Sequence, residues 1–329
     1  IMNKSNTKKI DLTVLVTSFS QREITIATAN YYSEICNEVI LVDEQKPYLS
    51  EIDINLLNEK GIRYISYEAN ENTKNPILEK RLIAASMAKN VYVAHSNHDE
   101  RYTYHGLLAS FNELENDKNL TFCAGQAIAV RRNRMGIYYT RQYKNLCGYE
   151  NINNVEDRIY HHAETYAPLA HYSLWRKNAY IDVINRTMRI HGLMPSDTIM
   201  EEVIFELAAD VAGNSKATPE LYWIRNRVND SAHGSFEKGE HIFKTIECKL
   251  QILLNDVDNI QLNRIMDSFR SNFPFIKPSN MNKRIIKIKR IIRKFIKKKN
   301  INDIDVLLKD NKIKYEKNDL SNVLESMSL

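Results

Sequence analysis

Four short runs of apolar, mostly β-branched residues alternate with segments of helical periodicity, and this alternation constrains the fold more than any other feature. The predicted strands are residues 12–17, 38–43, 62–67 and 91–95, and predicted helices at 48–59 and 76–89 separate the later ones. Runs that are apolar on both faces are typical of buried parallel strands. The pattern therefore predicts an α/β fold: a mostly parallel sheet with right-handed crossovers and helices on both faces. The chain has no G-x-G-x-x-G or Walker sequence, which argues against a common dinucleotide-binding fold.

Polar residues stand where three of these strands end. Ser18 follows the first strand, Asp43 closes the second, and His98, Asp99 and Glu100 follow the fourth. The carboxyl ends of parallel strands meet at one edge of a sheet, and open α/β sheets bind their ligands there. We therefore expect these side chains to share a site.

The second half of the chain alternates less cleanly, and we predict that it is irregular and builds a pocket over the sheet. Its clearest element is a helix over residues 195–213, in which apolar residues recur every four positions. Thr198 and Glu201 have the spacing of a capping box, and Gly213 is placed to end the helix. Residues 160–172 are dense in His and Tyr, which suits either contact with a sugar ring or an ordinary half-buried core.

The charge is unevenly distributed. Residues 283–299 contain ten Lys and Arg side chains and no acid, so the rest of this chain of net charge +5 is net acidic. Ile285, Ile288, Ile292 and Phe295 form an apolar stripe in that segment at helical spacing. A basic amphipathic helix of this kind is predicted to lie on an anionic membrane surface. The alternative is a helix that packs its stripe on the body; nucleic acid ranks last, because the segment has one aromatic residue.

Cysteine spacing and hydropathy restrict the class of protein further. The four cysteines are widely separated and form no zinc-binding pattern, so reduced thiols in a cytosolic protein are expected. No run of about 18 apolar residues occurs, and residues 1–30 contain no apolar signal core. We therefore expect neither a transmembrane segment nor secretion by a signal peptide.

Several short motifs together resemble bacterial GT-A glycosyltransferases of the small type found with surface-polysaccharide genes. The motifs are the start at residues 16–22, the strand end at 41–43, the acidic cluster at 98–100, the stretch 168–176, and the series from Asp197 through Gly213 to Arg225. The resemblance covers roughly residues 12–233 and implies the Rossmann-like GT-A fold. It implies a nucleotide-sugar-binding half at 1–135, an acceptor-binding half at 136–255, and a helical C-terminal extension at 256–329.

The resemblance also implies which residues bind the nucleotide-sugar donor. In such enzymes the end of the first strand and the acid after the second hold the base and ribose, and the helix before the fourth strand brings a cation to the nucleotide or its phosphates. The fourth strand then ends near the diphosphate. The donor-binding residues implied in this way are Thr17, Ser18, Phe19, Arg22, Asp43, Lys80, Arg81, His98, Asp99 and Arg176.

A divalent metal, Mn²⁺ or Mg²⁺, is an open question. The family carries a D-x-D motif whose last carboxylate coordinates the ion, and here Asn97 takes the place of the first acid. The predicted ligands are Asp99 and the distant His233, with His98 or Glu100 as further possibilities. Arginine side chains could stabilise the leaving phosphate instead, and a metal-free site would suit a CMP-linked sugar acid with its single phosphate.

In inverting enzymes a carboxylate takes the proton of the acceptor hydroxyl. The resemblance places this acid at the start of the 195–213 helix, with Asp197 as first choice and Glu201 or Glu202 as second. These acids could equally only cap the helix. His171 and Tyr172, within the family-like stretch, are the predicted acceptor-binding residues.

These features predict a cytoplasmic glycosyltransferase held at the inner face of the cytoplasmic membrane. It would move a sugar from a nucleotide donor to a lipid-linked or growing bacterial surface glycan, such as a capsule, O-antigen or lipooligosaccharide. Two alternatives stay open. A sugar nucleotidyltransferase has a related sheet, although the chain lacks a Gly-rich loop with Arg and Lys after the first strand. A catalytically inactive glycan-binding module would fit the incomplete D-x-D motif.

Overall fold

A single mixed sheet organises the protein, and helices pack on it. The computed structural model describes residues 8–18, 21–133, 136–144, 146–194, 198–227, 240–254, 259–272 and 303–327. The strands are β1 Ile10–Thr17, β2 Cys36–Asp43, β3 Ile62–Ser66, β4 Tyr92–Asn97, β5 Glu100–Tyr102, β6 Leu120–Asn133, β7 Gly136–Arg141, β8 Leu174–Arg176 and β9 Asn214–Asn226. The helices are α1 Arg22–Ile35, α2 Glu51–Glu59, α3 Pro76–Met87, α4 Tyr104–Asn116, α5 Val155–Thr165, α6 Lys177–Leu193, α7 Thr198–Ala212, α8 Glu240–Leu254, α9 Asn259–Asn272, α10 Ile304–Asp310 and α11 Lys317–Ser326.

The predicted parallel half of the sheet is confirmed. Strands β3, β2, β1 and β4 are adjacent in that order and parallel throughout. Thr17 is in register with both Val42 and Asn97, so the ends of β1, β2 and β4 lie side by side. The central strands are buried on both faces, as their apolar sequences require.

The second half extends the same sheet instead of building an irregular pocket over it. Strand β8 pairs antiparallel with β4 and β6, β6 runs parallel to β9, and β9 pairs antiparallel with β5. This continuation corrects the prediction for the second half. The cause is long-range pairing, because β9 lies beside both β6 and β5, which are far from it in sequence. Local periodicity does not predict which distant strands will pair.

Side-chain caps and a close contact fix the two helices that border the site. Asn75 caps α3, its Oδ1 accepting from the Leu78 N–H at 3.1 Å, and Pro76 occupies the first turn. Thr103 caps α4, its Oγ1 accepting from the Gly106 N–H at 3.0 Å. A Cβ at Gly106 would lie 2.5 Å from the Leu221 carbonyl oxygen, so only glycine lets α4 pack this closely on β9. Helix α7 ends at Ala212, before Gly213, as predicted.

The C-terminal segment returns to the body of the protein. Leu307, Leu308, Leu320 and Val323 of α10 and α11 are buried. The Leu221 N–H of β9 donates to the Lys314 carbonyl at 2.7 Å. The predicted basic helix at 283–299 lies outside the described residues. None of the helices among the described residues has the length and apolar composition needed to cross a bilayer.

Candidate functional site

The predicted donor residues Arg22 and Asp43 meet at the carboxyl edge of the sheet. Asp43 is buried at the end of β2, and its Oδ2 accepts from Arg22 Nε at 2.8 Å and from the Tyr64 hydroxyl at 3.0 Å. Its Oδ1 accepts from the Gln45 N–H at 3.1 Å. The carboxylate is therefore held rigidly at the strand end by an ion pair and two hydrogen bonds.

Lys80 ties the end of β1 to the end of β2. Its buried Nζ donates to the Ser18 carbonyl at 2.8 Å and to the Glu44 carboxylate at 2.6 Å. Burial lowers the pKa of Lys80, and the Glu44 carboxylate opposes that shift. The Ser18 Oγ is buried and has no hydrogen-bond partner within the described structure, which leaves a hydroxyl at the predicted donor position for a ligand.

Arg81 forms a buried cationic position beside this edge. Its side chain is 4% exposed, and its Nη2 donates to His171 Nε2 at 3.0 Å. Burial, reinforced by Arg81 itself, lowers the pKa of His171 well below its usual value, so the ring is neutral and carries its proton on Nδ1. Arg81 Nε and His171 Nδ1 are both buried without a hydrogen-bond partner, and no carboxylate of the described residues lies within ion-pairing distance of Arg81. A buried guanidinium that has no carboxylate partner favours the binding of an anionic ligand.

The end of β4 carries the acidic cluster. Glu100 is buried; its Oε2 accepts from Asn97 Nδ2 at 3.2 Å, and its Oε1 lies 3.5 Å from Arg225 Nε. Burial raises the pKa of Glu100 to about 8, although Arg225 opposes the shift. Burial also lowers the pKa of His98. Asp99 is half-buried beside them.

The predicted metal ligands are only partly described. Asp99 is at the expected position, whereas His233 lies outside the described residues. Within the part of the chain that the structure describes, no three His, Cys, Asp or Glu side chains are grouped to hold a metal ion. Magnesium is commonly bound by one or two carboxylates together with phosphates of the substrate. Asp99 therefore fits a site of that shared kind, with the substrate supplying the other ligands.

The two described acids of the predicted base position differ in their surroundings. Glu201 Oε1 lies 2.8 Å from His191 Nδ1, so this carboxylate contacts the neighbouring helix α6. Glu202 is half-buried and lies in the field of Arg225, Arg81 and Arg227; burial raises its pKa. Arg81 acts on both acids, and Arg225 and Arg227 also act on Glu202. Phe19 and Asp197 lie outside the described residues.

His171 and Tyr172 are held in place by α7 and an aromatic stack. Glu206 accepts from the backbone N–H groups of Ala170 and His171 at 2.9 and 2.7 Å. The Tyr172 ring stacks on Trp223, with centroids 3.7 Å apart and planes 19° apart. These contacts fix the turn that carries both predicted acceptor-binding residues.

Arg176 lies away from the other predicted donor residues, which corrects its assignment. Strand β8 runs antiparallel to β4, so Arg176 is in register with Tyr92 at the amino end of β4, whereas the acidic cluster follows the carboxyl end. Its guanidinium donates to the carbonyls of Leu114, Leu120 and Asp117. Arg176 therefore joins β8 to α4 and β6, a packing role.

Three buried polar groups near the site were missed in the sequence. His95 lies inside β4 and contacts Thr17 Oγ1 through Nε2 at 3.0 Å; a polar residue inside an apolar strand run is the signal that could have found it. Glu206 and Asp210 follow Glu202 at intervals of four on α7 and are buried. Acids recurring on one face of an otherwise apolar helix were the corresponding signal.

Comparisons with known proteins support a fold and identify no family. No protein-family model matches the chain, and no curated protein is significantly similar in sequence. The crystal structure of S. aureus TarS is similar with a TM-score of 0.51 at 11% identity, covering 82% of this chain and 44% of that one. A structure of TarS residues 1–349 with UDP-GlcNAc gives a TM-score of 0.49 at 13% identity, covering 79% and 72%. The strand order and the similarity to the TarS crystal structure, with its TM-score of 0.51, agree with the predicted fold, and the protein has the GT-A glycosyltransferase fold.

Proposed function

We propose that the protein is a glycosyltransferase that moves a sugar from a nucleotide donor to a lipid-linked or growing bacterial surface glycan. One observation supports this most strongly. Arg81 is buried at the ligand-binding edge of a GT-A sheet, and no carboxylate among the described residues lies within ion-pairing distance of it. A nucleotide sugar brings a phosphate to that edge, and its negative charge grows as the glycosidic bond breaks. A guanidinium already fixed there stabilises that charge without reorganising.

The nucleoside would lie over the ends of β1 and β2. The free Ser18 hydroxyl and the rigid Asp43 carboxylate supply a donor and an acceptor for its base and ribose. Thr17, Phe19 and Arg22 border this position in sequence. Lys80 is already bonded to the Ser18 carbonyl and to Glu44, so its role is to hold the β1 end in place.

Asp99, next to His98, is the residue that would hold a divalent metal in this site. When bound, Mn²⁺ or Mg²⁺ neutralises part of the charge of the leaving diphosphate. Glu100 is buried against Arg225, and burial raises its pKa to about 8.

Glu202 is our proposed general base among the described residues, and Asp197 remains the alternative. Burial raises the pKa of Glu202, which increases its affinity for the proton of an acceptor hydroxyl. Arg225 and Arg81 oppose that shift and keep the carboxylate available. His171 and Tyr172 would border the acceptor.

The donor-binding proposal is tested by thermal unfolding with UDP-, GDP-, dTDP- and CMP-linked sugars, with and without Mn²⁺ or Mg²⁺. We expect one nucleotide class to raise the melting temperature, because a ligand at a hundredfold excess over its Kd stabilises the folded state by about 2.7 kcal/mol. Ser18→Ala should weaken that ligand about fivefold through the loss of one hydrogen bond of about 1 kcal/mol. Ser110→Ala is the matched control, because Ser110 is equally buried but lies on α4.

A rise in melting temperature that requires the metal would support Asp99 as a metal ligand. A rise with a CMP-linked sugar in the absence of metal would support a metal-free site. Turnover is then measured as nucleotide release with the donor that binds. If no nucleotide sugar shifts the melting temperature, the glycosyltransferase proposal fails and a glycan-binding module is favoured.

Attachment to an anionic membrane through 283–299 is a separate proposal, supported by the sequence of that segment. Each Lys or Arg near an anionic surface contributes about 1 kcal/mol, so replacing Lys297 and Lys298 by glutamine should weaken binding roughly thirtyfold. The control pair is Lys309→Gln with Lys312→Gln, outside the segment. The measurement is co-sedimentation with vesicles containing phosphatidylserine; equal binding by both double variants would contradict the proposal.

A deletion from residue 283 onward is unsuitable as a test, because it would also remove the buried side chains of α10 and α11.

A further inference from the structure

The loop that carries His98, Asp99 and Glu100 is fixed through its backbone carbonyls. The His98 carbonyl accepts from Thr28 Oγ1 at 3.1 Å and from Arg101 Nη1 at 3.0 Å. The Asp99 carbonyl accepts from the Asn226 N–H at 2.9 Å, and the Glu100 carbonyl accepts from Arg101 Nη1 at 2.8 Å. One side chain, that of Arg101, therefore holds both ends of the loop.

Arg101 is a buried cation that bonds to the backbone instead of to an acid. Its side chain is 1% exposed, and no carboxylate of the described residues lies within ion-pairing distance of it. Its hydrogen bonds go to carbonyl oxygens. A buried guanidinium without a carboxylate partner is costly to the fold. The planar guanidinium carries several N–H donors, so it can hold several backbone carbonyls at once.

The third carbonyl bound by Arg101 belongs to the C-terminal helix. Arg101 Nη2 donates to the Ser326 carbonyl at 3.4 Å, in the last turn of α11. The same helix holds the chain just beyond the loop: the Asp319 carboxylate accepts from the N–H groups of Tyr104 and His105 at 3.0 and 2.8 Å. Helix α11 thus contacts a side chain of β5, the strand that starts at Glu100, and the backbone just after that strand.

We propose that Arg101 is a positioning residue that links the docked C-terminal helix to the acidic loop, so that α11 is part of the transferase site. This inference rests on the proposed function. Arg101 itself does not reach the substrate; it fixes the loop that presents Asp99. A misplacement of the order of 1 Å at a reacting centre costs about a hundredfold in rate, so loosening this loop should act mainly on kcat. Donor affinity should fall less than kcat, because Ser18 and Asp43, which are also proposed to bind the donor, lie on other strands.

The variants separate this role from simple packing. Arg101→Lys keeps the positive charge but loses the planar guanidinium, whose several N–H donors bind the three carbonyls. Ending the chain at Glu325 removes the Ser326 carbonyl while Asp319 stays in place. It also removes the buried Met327 side chain, so Met327→Ala is its matched control. Arg141→Lys is the matched control, because Arg141 also contacts the C-terminal segment, donating to Asn311 Oδ1 at 3.4 Å, but does not touch the loop.

We expect Arg101→Lys to lower kcat tenfold to a hundredfold, with donor KM changed less than threefold and the melting temperature close to that of Arg141→Lys. The chain ending at Glu325 should change kcat in the same direction by a smaller factor. In Arg101→Ala, millimolar guanidinium should restore part of the lost kcat. Wild-type kcat in folded Arg101→Lys, or a kcat loss that merely follows a fall in melting temperature and is not restored by guanidinium, would overturn the proposal.

Hydrogen exchange at backbone amides 97–100 tests the same link without turnover. We expect faster exchange there in Arg101→Lys and in the chain ending at Glu325, and no change in Arg141→Lys. If the wild type turns over no donor, the proposed function fails, and this measurement still decides whether Arg101 and α11 hold the loop. Unchanged exchange in both altered chains would overturn that link.

Discussion

Replacing Arg81 with leucine is expected to lower kcat on the order of 10²–10³-fold while leaving the melting temperature unchanged or higher. The rate falls because the leaving phosphate loses a fixed donor in a water-poor site. The melting temperature should not fall, because the replaced guanidinium is 4% exposed and is hydrogen-bonded only to a neutral histidine among its described partners. Exchanging an uncompensated buried charge for an apolar side chain removes a desolvation cost.

The measurement is kcat and KM with the donor identified by thermal unfolding, together with the melting temperature. Arg186→Leu is the control, since Arg186 pairs with Asp182 on the surface of α6. It should leave both quantities nearly unchanged. A fall of many degrees in the melting temperature of Arg81→Leu, or an unaltered kcat, would show that Arg81 serves the fold and not the leaving group.

Truncating Trp175 to alanine should destabilise the protein by about 3–5 kcal/mol. Trp175 is 0% exposed, and its ring stacks on Phe122 with centroids 4.2 Å apart and planes 26° apart. Its indole N–H donates to the Ala170 carbonyl at 2.8 Å. The variant would therefore leave a large cavity at β8 and remove one of the two hydrogen bonds that the Ala170 carbonyl accepts, in the turn that carries His171.

Urea unfolding monitored by circular dichroism measures this loss. Trp175→Phe should recover more than half of it, because a phenyl ring refills much of the cavity. Leu193→Ala is the control for loss of apolar volume without burial, since Leu193 is 68% exposed, and should cost little. If Trp175→Ala and Leu193→Ala had similar free energies of unfolding, the packing described around β8 would be wrong.

The parallel half of the fold and its ligand-binding edge could be predicted from the sequence. Apolar runs identified β1 to β4, and parallel strands joined by right-handed crossovers necessarily bring their carboxyl ends to one edge. Ser18, Asp43 and Asp99 were placed correctly for that reason. Helix α3 was also predicted, at residues 76–89, because helical periodicity is a local feature of the sequence.

The second half was not predictable in the same way. The three residues of β8 carry no sign of their direction, and only antiparallel pairing with β4 moves Arg176 to the opposite end of the sheet. Glu201 and Glu202 are adjacent in sequence, but the side on which α6 packs directs Glu201 to His191. Neighbouring positions on a helix point in different directions, and tertiary packing decides what each one meets.

By itself the sequence determined which residues end the parallel strands, because local hydrophobic periodicity and chain chirality suffice for that. Only the tertiary structure decided which distant groups meet those strand ends. Arg225 is brought to Glu100 by the β5–β9 register, and His171 to Arg81 by the turn that Glu206 holds. These contacts join residues 90 or more positions apart, and their geometry follows from sheet register and helix packing, which no local pattern of residues encodes.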